Sequence, residues 1–241
     1  MKYIFNADDF GRTQTVNEAI AAGFQNGCLD RTTVMVNMPF FEEAVALAKE
    51  CNFQDKVGLH INITSGKPLT RDILKCSRFC YEDGNFNGTI FKNKKMQFFL
   101  SRQEKKALYG EILAQVDAFM QAGFSLRHAD SHGHVHTFPS VLGVVVKALR
   151  EESFTSLRLS ANLHGSKARR FYKALLNWRI RWFNHCEKAQ CKYFDSLGSV
   201  RKKKHWLQGR NGVCEVMLHP NIWDGDMQIG EGFHYSDINN L

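Results

Sequence analysis

No stretch of this 241-residue sequence stays apolar for the roughly 20 residues that a membrane-spanning helix requires. The opening residues, Met1 to Asp9, also lack the apolar core of a secretion signal. Both absences lead to the expectation of a cytoplasmic protein. Cysteine patterning is missing too. The seven cysteines (Cys28, Cys51, Cys76, Cys80, Cys186, Cys191 and Cys214) are scattered and odd in number, with no CxxC pair and no zinc-finger spacing. Reduced, structural thiols are therefore expected rather than a disulfide framework or a zinc module. There is no internal repeat and no low-complexity tract. Negative charge is nearly absent from one segment: between Lys167 and Lys204 twelve lysines and arginines meet only Glu187 and Asp195, a balance of +10 in a chain of net charge +8. The remainder stands at −2, so the basicity is local and the body of the molecule is not basic.

What is present fits an ordinary globular protein. A hydrophobic content of 44% and a charged content of 23% allow a full core without covalent staples. One domain over residues 1–241 is expected, since single α/β barrels reach this length. Lys2 to Asn6 reads as a short buried strand, followed by a polar turn from Ala7 to Gly11. Thr15 and Glu18 are spaced as a capping box that opens a helix towards Asn26-Gly27. Strands are predicted from Thr32 to Val36, Val57 to Ile61, Ser156 to Leu159 and Val213 to Leu218, and Ser125 to Ala129 leads into a histidine-rich segment. Helices are predicted from Phe41 to Glu50, from a Ser101/Glu104 capping box to about Ala122, from Pro139 to about Arg150, and from Lys167 to about Cys186. From Thr64 to about Lys95 the pattern dissolves into Gly, Pro, Asn and charged residues, as in a long functional loop. Repeated alternation of strand and helix predicts a parallel sheet with crossover helices. Fewer than eight strands are visible, so the expected fold is α/β, an incomplete or distorted (β/α) barrel.

In such folds the site gathers at the carboxyl ends of the strands. The polar residues at those ends are Asp8, Asp9, His60, the segment around His132, Arg158 and His219. Adjacent buried carboxylates require neutralisation, which a divalent cation supplies; alternatively Asp8 and Asp9 cap the following turn. His128 to His136 holds four histidines and Asp130 within nine residues. His132, His134 and His136 alternate, so an extended segment would place them on one face. Imidazole is the usual ligand for zinc and related metals, and Asp130 can take the second ring proton of a ligand histidine. His60 and His219 carry weight only in this company. Mixed Asp/His ligation with positions left for water is the pattern of a catalytic centre.

The motifs Asn6-Ala-Asp-Asp-Phe-Gly11, Gly58-Leu-His-Ile-Asn62, Gly66-Lys-Pro-Leu69, His128-Ala-Asp-Ser-His-Gly-His-Val-His136 and Met217-Leu-His-Pro220 resemble those of the YdjC-like carbohydrate deacetylases, the family that includes chitooligosaccharide deacetylases. The resemblance implies a barrel-like fold of the glycoside hydrolase/deacetylase type and one divalent ion, Mg2+ or Zn2+. It implies Asp9, His60 and His132 as metal ligands, Asp8 as general base and His219 as acid, with Asp130, His134 and Arg158 near the substrate or supporting the ligands. The implied reaction removes the N-acetyl group from an acetamido sugar or oligosaccharide: a metal-activated water attacks the amide carbonyl, and Arg158 is a candidate oxyanion donor. A metal-dependent hydrolase of a phosphoester or glycosidic bond is the alternative. Gly133 stands where the family often has another histidine. A second departure is that the sequence ends sooner after His219 than the resemblance leads one to expect, so a short or missing closing helix is expected.

The basic helix places Phe171, Leu175, Trp178 and Trp182 on one face. The expectation is an outer barrel helix that packs this stripe on the sheet. The other reading is attachment to an anionic membrane or a lipid-linked glycan, peripheral to the inner face of the membrane. Nucleic acid is not expected as a partner: Arg201 to Lys204 and the basic helix can meet phosphates, but that leaves the strand-end Asp and His residues unexplained.

Overall fold

In a computed structural model the described residues are 1–164, 166–184, 191–230 and 232–240. In chain order the elements are β1 (Lys2–Phe10), α1 (Gln14–Gln25), β2 (Arg31–Val34), α2 (Phe41–Glu50), β3 (Val57–Ile61), α3 (Arg71–Leu74), α4 (Thr89–Lys92), α5 (Lys94–Phe98) and α6 (Arg102–Gln121). There follow β4 (His128–Ser131), α7 (Pro139–Glu151), β5 (Ser156–Leu157), α8 (Lys167–Phe183), β6 (Cys191–Ser196), α9 (Leu197–Lys202), α10 (Lys204–Leu207) and β7 (Val213–Leu218). A small hairpin, β8 (Asn221–Trp223) and β9 (Asp226–Gln228), comes after the last sheet strand.

Seven parallel strands form one sheet in the order β5-β4-β3-β2-β1-β7-β6. The sheet curls into an incomplete barrel, as the strand count predicts. Its edges, β5 and β6, are joined by chain rather than by a strand pair. The segment leaving β5 bonds along β6, with Asn162 N on Phe194 O at 3.1 Å and Leu163 N on an Asp195 carboxylate oxygen at 3.1 Å. Every residue of β3 is buried, as is usual for a central parallel strand covered on both faces.

Several boundaries differ from the expectation. β1 does not end at Asn6 but continues to Phe10. Its register with β2 shifts between Ala7 and Phe10, and Asp9 takes a φ of 68°. The two carboxylates therefore sit on a bulged strand rather than in a turn after it. Bulges re-aim side chains beside active sites. α1 is capped by Thr13, whose hydroxyl accepts from Val16 N, and not by Thr15. The chain leaves β1 through Gly11 at φ 88° and reaches helical geometry two residues earlier than predicted. β2 ends at Val34. The Ser101/Glu104 capping box and the Pro139 helix start occur as predicted. β6 and the hairpin have no counterpart in the sequence reading. The predicted end of the basic helix near Cys186 lies outside the described residues; α8 is described to Phe183.

The segment from Thr64 to Lys95 is packed, not loose. Ile73, Phe79, Phe86 and Ile90 are buried beneath it. The buried carboxylate of Glu111 on α6 accepts from Leu69 N, Thr70 N and the Thr70 hydroxyl.

Two buried histidines make this fold sensitive to acid. Burial, and next the positive charge of Arg31, hold His128 well below the usual imidazole range. Burial, and next His134, push His136 down to about 3. Both folded-state values are depressed, so the unfolded chain binds these protons first. Stability is full above the unfolded value near ~6.5 and falls as pH drops from there towards the folded values. The unfolding free energy from urea titrations is expected to decline between pH 7 and 5, by up to about 1.4 kcal/mol per pH unit per histidine, and the midpoint with it. His136→Gln should flatten that slope. A midpoint independent of pH across this window rejects the account.

Candidate active site

Three strand ends meet at Asp9. Its Oδ1 lies 3.2 Å from His60 Nε2 and 2.8 Å from His132 Nδ1. The carboxylate comes from β1, His60 from β3, and His132 from the residue just after β4. One donor atom from each of the three lies within 4.8 Å of the others. Asp9 Oδ2 faces outward and pairs with Arg12 at 2.8 Å.

The second ring nitrogen of His60 is held from behind. His60 Nδ1 meets Asp130 Oδ1 at 2.6 Å, and Asp130 Oδ2 accepts from the Thr33 hydroxyl at 3.0 Å. A carboxylate there keeps the proton on Nδ1 and aims the Nε2 lone pair at the cluster. Burial opposes charge on His60, yet the carboxylates of Asp130 and Asp9 outweigh it and push the imidazole up to about 10. The centre therefore has strong affinity for positive charge. Asp9, also buried, is held well below the usual carboxylate range by its bonds to His132 and His60.

Asp8, the residue before Asp9 on the bulged strand, also lies close to His60: one ligand atom each of Asp8, His60 and Asp130 fall within 4.8 Å of one another. Arg158 grips Asp8 through Nη1 to Oδ2 at 2.5 Å and Nη2 to Oδ1 at 2.7 Å, and Asn6 Nδ2 donates to Oδ1 at 2.8 Å. Burial alone would raise this carboxyl; the guanidinium overrides it and keeps Asp8 ionised. Arg158 also reaches Asp130 at 2.7 Å and Glu215 at 2.6 Å, and Arg31 closes on Glu215 at 2.5 Å. Three buried carboxylates, Asp8, Asp130 and Glu215, thus share two guanidiniums, an excess of negative charge beside the cluster that a divalent cation offsets. The donor set fits a metal: two imidazole nitrogens and a carboxylate, with a supporting carboxylate behind one of them.

Two sequence readings are corrected here. Arg158 is completely buried with Nε, Nη1 and Nη2 all directed at carboxylates, so it does not reach out as an oxyanion donor. The three alternating histidines do not share a face, because Gly133 and His134 turn left-handed at φ 58° and 57°. His132 reaches Asp9. His134 packs edge-on to Phe194 at 5.5 Å between centroids, with its Nδ1 buried and lacking a hydrogen-bond partner among the described residues. His136 is buried between the Ser131 hydroxyl and the Arg158 carbonyl. Gly133 also explains itself: a Cβ there would stand 2.3 Å from the Phe91 ring, which occupies the space over the turn.

The bonds of the Asp8 and Asp9 carboxylates go to side chains, so turn capping is not their task. His219 follows β7 and is exposed. In the parallel register Ala7 opposes Leu218, which sets His219 level with Asp8, and its charge acts on that carboxylate. Sequence reasoning missed Glu215, Thr33, Asn6 and Arg31. Glu215 had a signal: it is a lone acid inside the apolar run Val213 to Leu218.

The family model described as "YdjC-like protein" matches residues 2–236. A carbohydrate deacetylase of Vibrio parahaemolyticus is 40% identical over 238 residues, covering 97% of this chain and 83% of the relative. The carbohydrate deacetylase of Brevibacillus brevis is 37% identical over 235 residues, covering 97% and 86%. Among solved structures, an Enterococcus faecalis protein provisionally assigned to cellobiose-phosphate cleavage superposes with a TM-score of 0.66 at 25% identity, over 92% of this chain and 82% of that one. The incomplete barrel is shared with that neighbour, and by the extent of these matches the chain belongs to the YdjC-like family.

Proposed function

We propose that this protein is a metal-dependent carbohydrate N-deacetylase, a hydrolase that releases acetate from an acetamido sugar or oligosaccharide. The observation that carries the proposal is the convergence of Asp9, His60 and His132 from three strand ends, with an ionised Asp8 clamped beside them. The names of the most similar relatives support the substrate class. Residues 1–241 act as one domain in this proposal.

Asp9, His60 and His132 would hold the ion, either Mg2+ or Zn2+. A divalent cation at such a set supplies Lewis acidity, which lowers the pKa of water and polarises a carbonyl. The side chains divide the remaining work. Asp8 accepts the proton of the water that attacks the acetyl carbon, a task for which it must be ionised and correctly aimed. Arg158 keeps it both. Asp130 fixes the His60 ring so that Nε2 faces Asp9, where it would be available as a ligand. His219, exposed at the mouth, donates the proton that the departing sugar amine requires. The C–N bond breaks, the water oxygen stays with the acetyl carbon, and acetate and a free amino sugar result. A recess of about 480 Å3 lined in part by Asn37, Met38, Phe41, Lys67 and Leu69 gives a sugar ring both apolar and hydrogen-bonding walls at the ends of β2 and β3. The sugar is taken free or on a lipid carrier.

Acetate release from a panel of N-acetylated sugars tests the reading directly, paired with elemental analysis of the purified protein. Acetate release should vanish on chelation and return with Mg2+ or Zn2+. Undiminished release after complete metal removal overturns the metal requirement. Release of phosphate, or cleavage between sugar units, without acetate favours the alternative hydrolase, which the assignment of the Enterococcus neighbour keeps in view.

A further inference from the structure

Helix α8 carries apolar residues on two opposite sides, and only one of them is covered. Leu176, Ile180 and Phe183 are buried against the barrel, and Asn177 is anchored to Ser160 through both its amide atoms. On the other side Phe171, Leu175, Trp178 and Trp182 stand 78%, 55%, 66% and 65% exposed. These four occupy positions i, i+4, i+7 and i+11, a continuous stripe along more than three turns. The expected packing of this stripe on the sheet is therefore wrong: the helix buries a different face.

The flanks of the exposed stripe are cationic. Arg170 and Arg181 lie on one side and Arg179 on the other, all exposed, and no acidic residue occurs anywhere from Lys167 to Phe183. Arg150 of α7 stacks on Trp182 with its guanidinium 4.6 Å from the ring centre, extending the basic rim. A recess of about 380 Å3 lies beside the stripe, lined by Asn162, Arg170, Phe171, Ala174, Asn177 and Arg181.

We propose that α8 docks the protein on an anionic phospholipid bilayer, with Phe171, Leu175, Trp178 and Trp182 inserted at headgroup depth and the flanking arginines on lipid phosphates. An apolar centre with cationic edges is the profile of a helix lying in a membrane interface, where tryptophan bodies enter the acyl boundary and arginines snorkel to the phosphates. A second copy of the chain fits poorly, because apposed α8 helices would bring only like charges together. Nucleic acid would want cations at the centre of the contact rather than large apolar side chains. The recess between Arg170 and Arg181 suits a lipid phosphate. The axis of α8 runs antiparallel to β5, since Asn177 meets Ser160 while Asn184 meets Leu157. The Phe171 end of the stripe is thus the end nearer the strand-end mouth, and a glycan presented at the membrane surface lies close to it.

Flotation of the full chain with vesicles of phosphatidylcholine, alone or mixed with phosphatidylglycerol, tests this. Binding is expected only to the anionic vesicles, falling as salt rises, with a blue shift of tryptophan emission. The triple variant Phe171→Ser, Trp178→Ser, Trp182→Ser should weaken binding by about tenfold or more while its circular dichroism and its hydrolytic activity on a soluble sugar stay unchanged. Undiminished binding by that variant would mean that the net charge of +8 alone attracts the lipid, and the proposal fails. It fails equally if the wild type does not float at low salt. A wild-type dimer in light scattering that the triple variant abolishes also overturns it, assigning the face to a second copy.

Discussion

Asp8→Asn is expected to lower kcat by about two to four orders of magnitude, the usual worth of a positioned general base, while the protein still binds its metal ion. The substitution keeps shape but removes the charge that accepts a proton. The Asn6 amide and the Arg158 guanidinium still face an oxygen in the variant, so the fold should survive with a modest loss, about 1–3 kcal/mol for weakening a buried, charge-assisted pair. Asp9→Asn is the control with the opposite signature. Asp9 Oδ1 is the atom on which both histidines converge, so its replacement should lose the ion as well as the activity. Metal content by elemental analysis and acetate release by coupled assay separate the two. Near-normal deacetylation by Asp8→Asn would show that the base is elsewhere; loss of metal from that variant would show that Asp8 belongs to the ligand set.

The strand ends were legible because a parallel barrel writes them plainly. Buried runs such as Val57 to Ile61 carry or meet a polar residue at their carboxyl end, and Asp9, His60 and His132 do gather at one end of the sheet. The shape of the site was less legible where backbone geometry departs from regular structure. A bulge with Asp9 at φ 68° and a left-handed pair at Gly133 and His134 decide where side chains point, and periodicity carries no trace of either. β6 escaped notice because Lys192 and Asp195 interrupt its pattern inside a basic stretch. The α8 stripe was assigned to the wrong face for a different reason. A helix with two apolar sides offers two answers to a helical period, and only tertiary packing chooses between Leu176/Ile180 and Trp178/Trp182. The ion network around Arg158 was visible only in part: Asp8 and Asp130 were suspected, but Glu215, which completes it, was passed over although it is the lone acid of an apolar run.

That network yields the second large effect. Arg158→Met leaves Asp8, Asp130 and Glu215 without their shared guanidinium in a site where none is solvated. Removing one partner of a buried ion pair costs about 3–5 kcal/mol, because the remaining charge stays buried and uncompensated. For a chain of this size that corresponds to a fall in Tm of roughly 6–20 °C. Glu215 keeps Arg31, and Asp130 keeps Thr33 and His60, so the unrelieved charge is chiefly that of Asp8. A purely structural arginine would depress stability and leave the surviving folded enzyme active. A positioning arginine predicts more. At a temperature where the variant is folded, kcat should drop at least about tenfold with KM little changed, since the aim of Asp8 matters to the reacting water and not to sugar binding. Adding Glu215→Gln to Arg158→Met should recover little stability, because that carboxylate still has Arg31 as its partner, and none of the turnover. Thermal melts and steady-state kinetics on the two variants give both numbers. Restored kcat in the double variant would reduce Arg158 to a counter-ion and free Asp8 from its control.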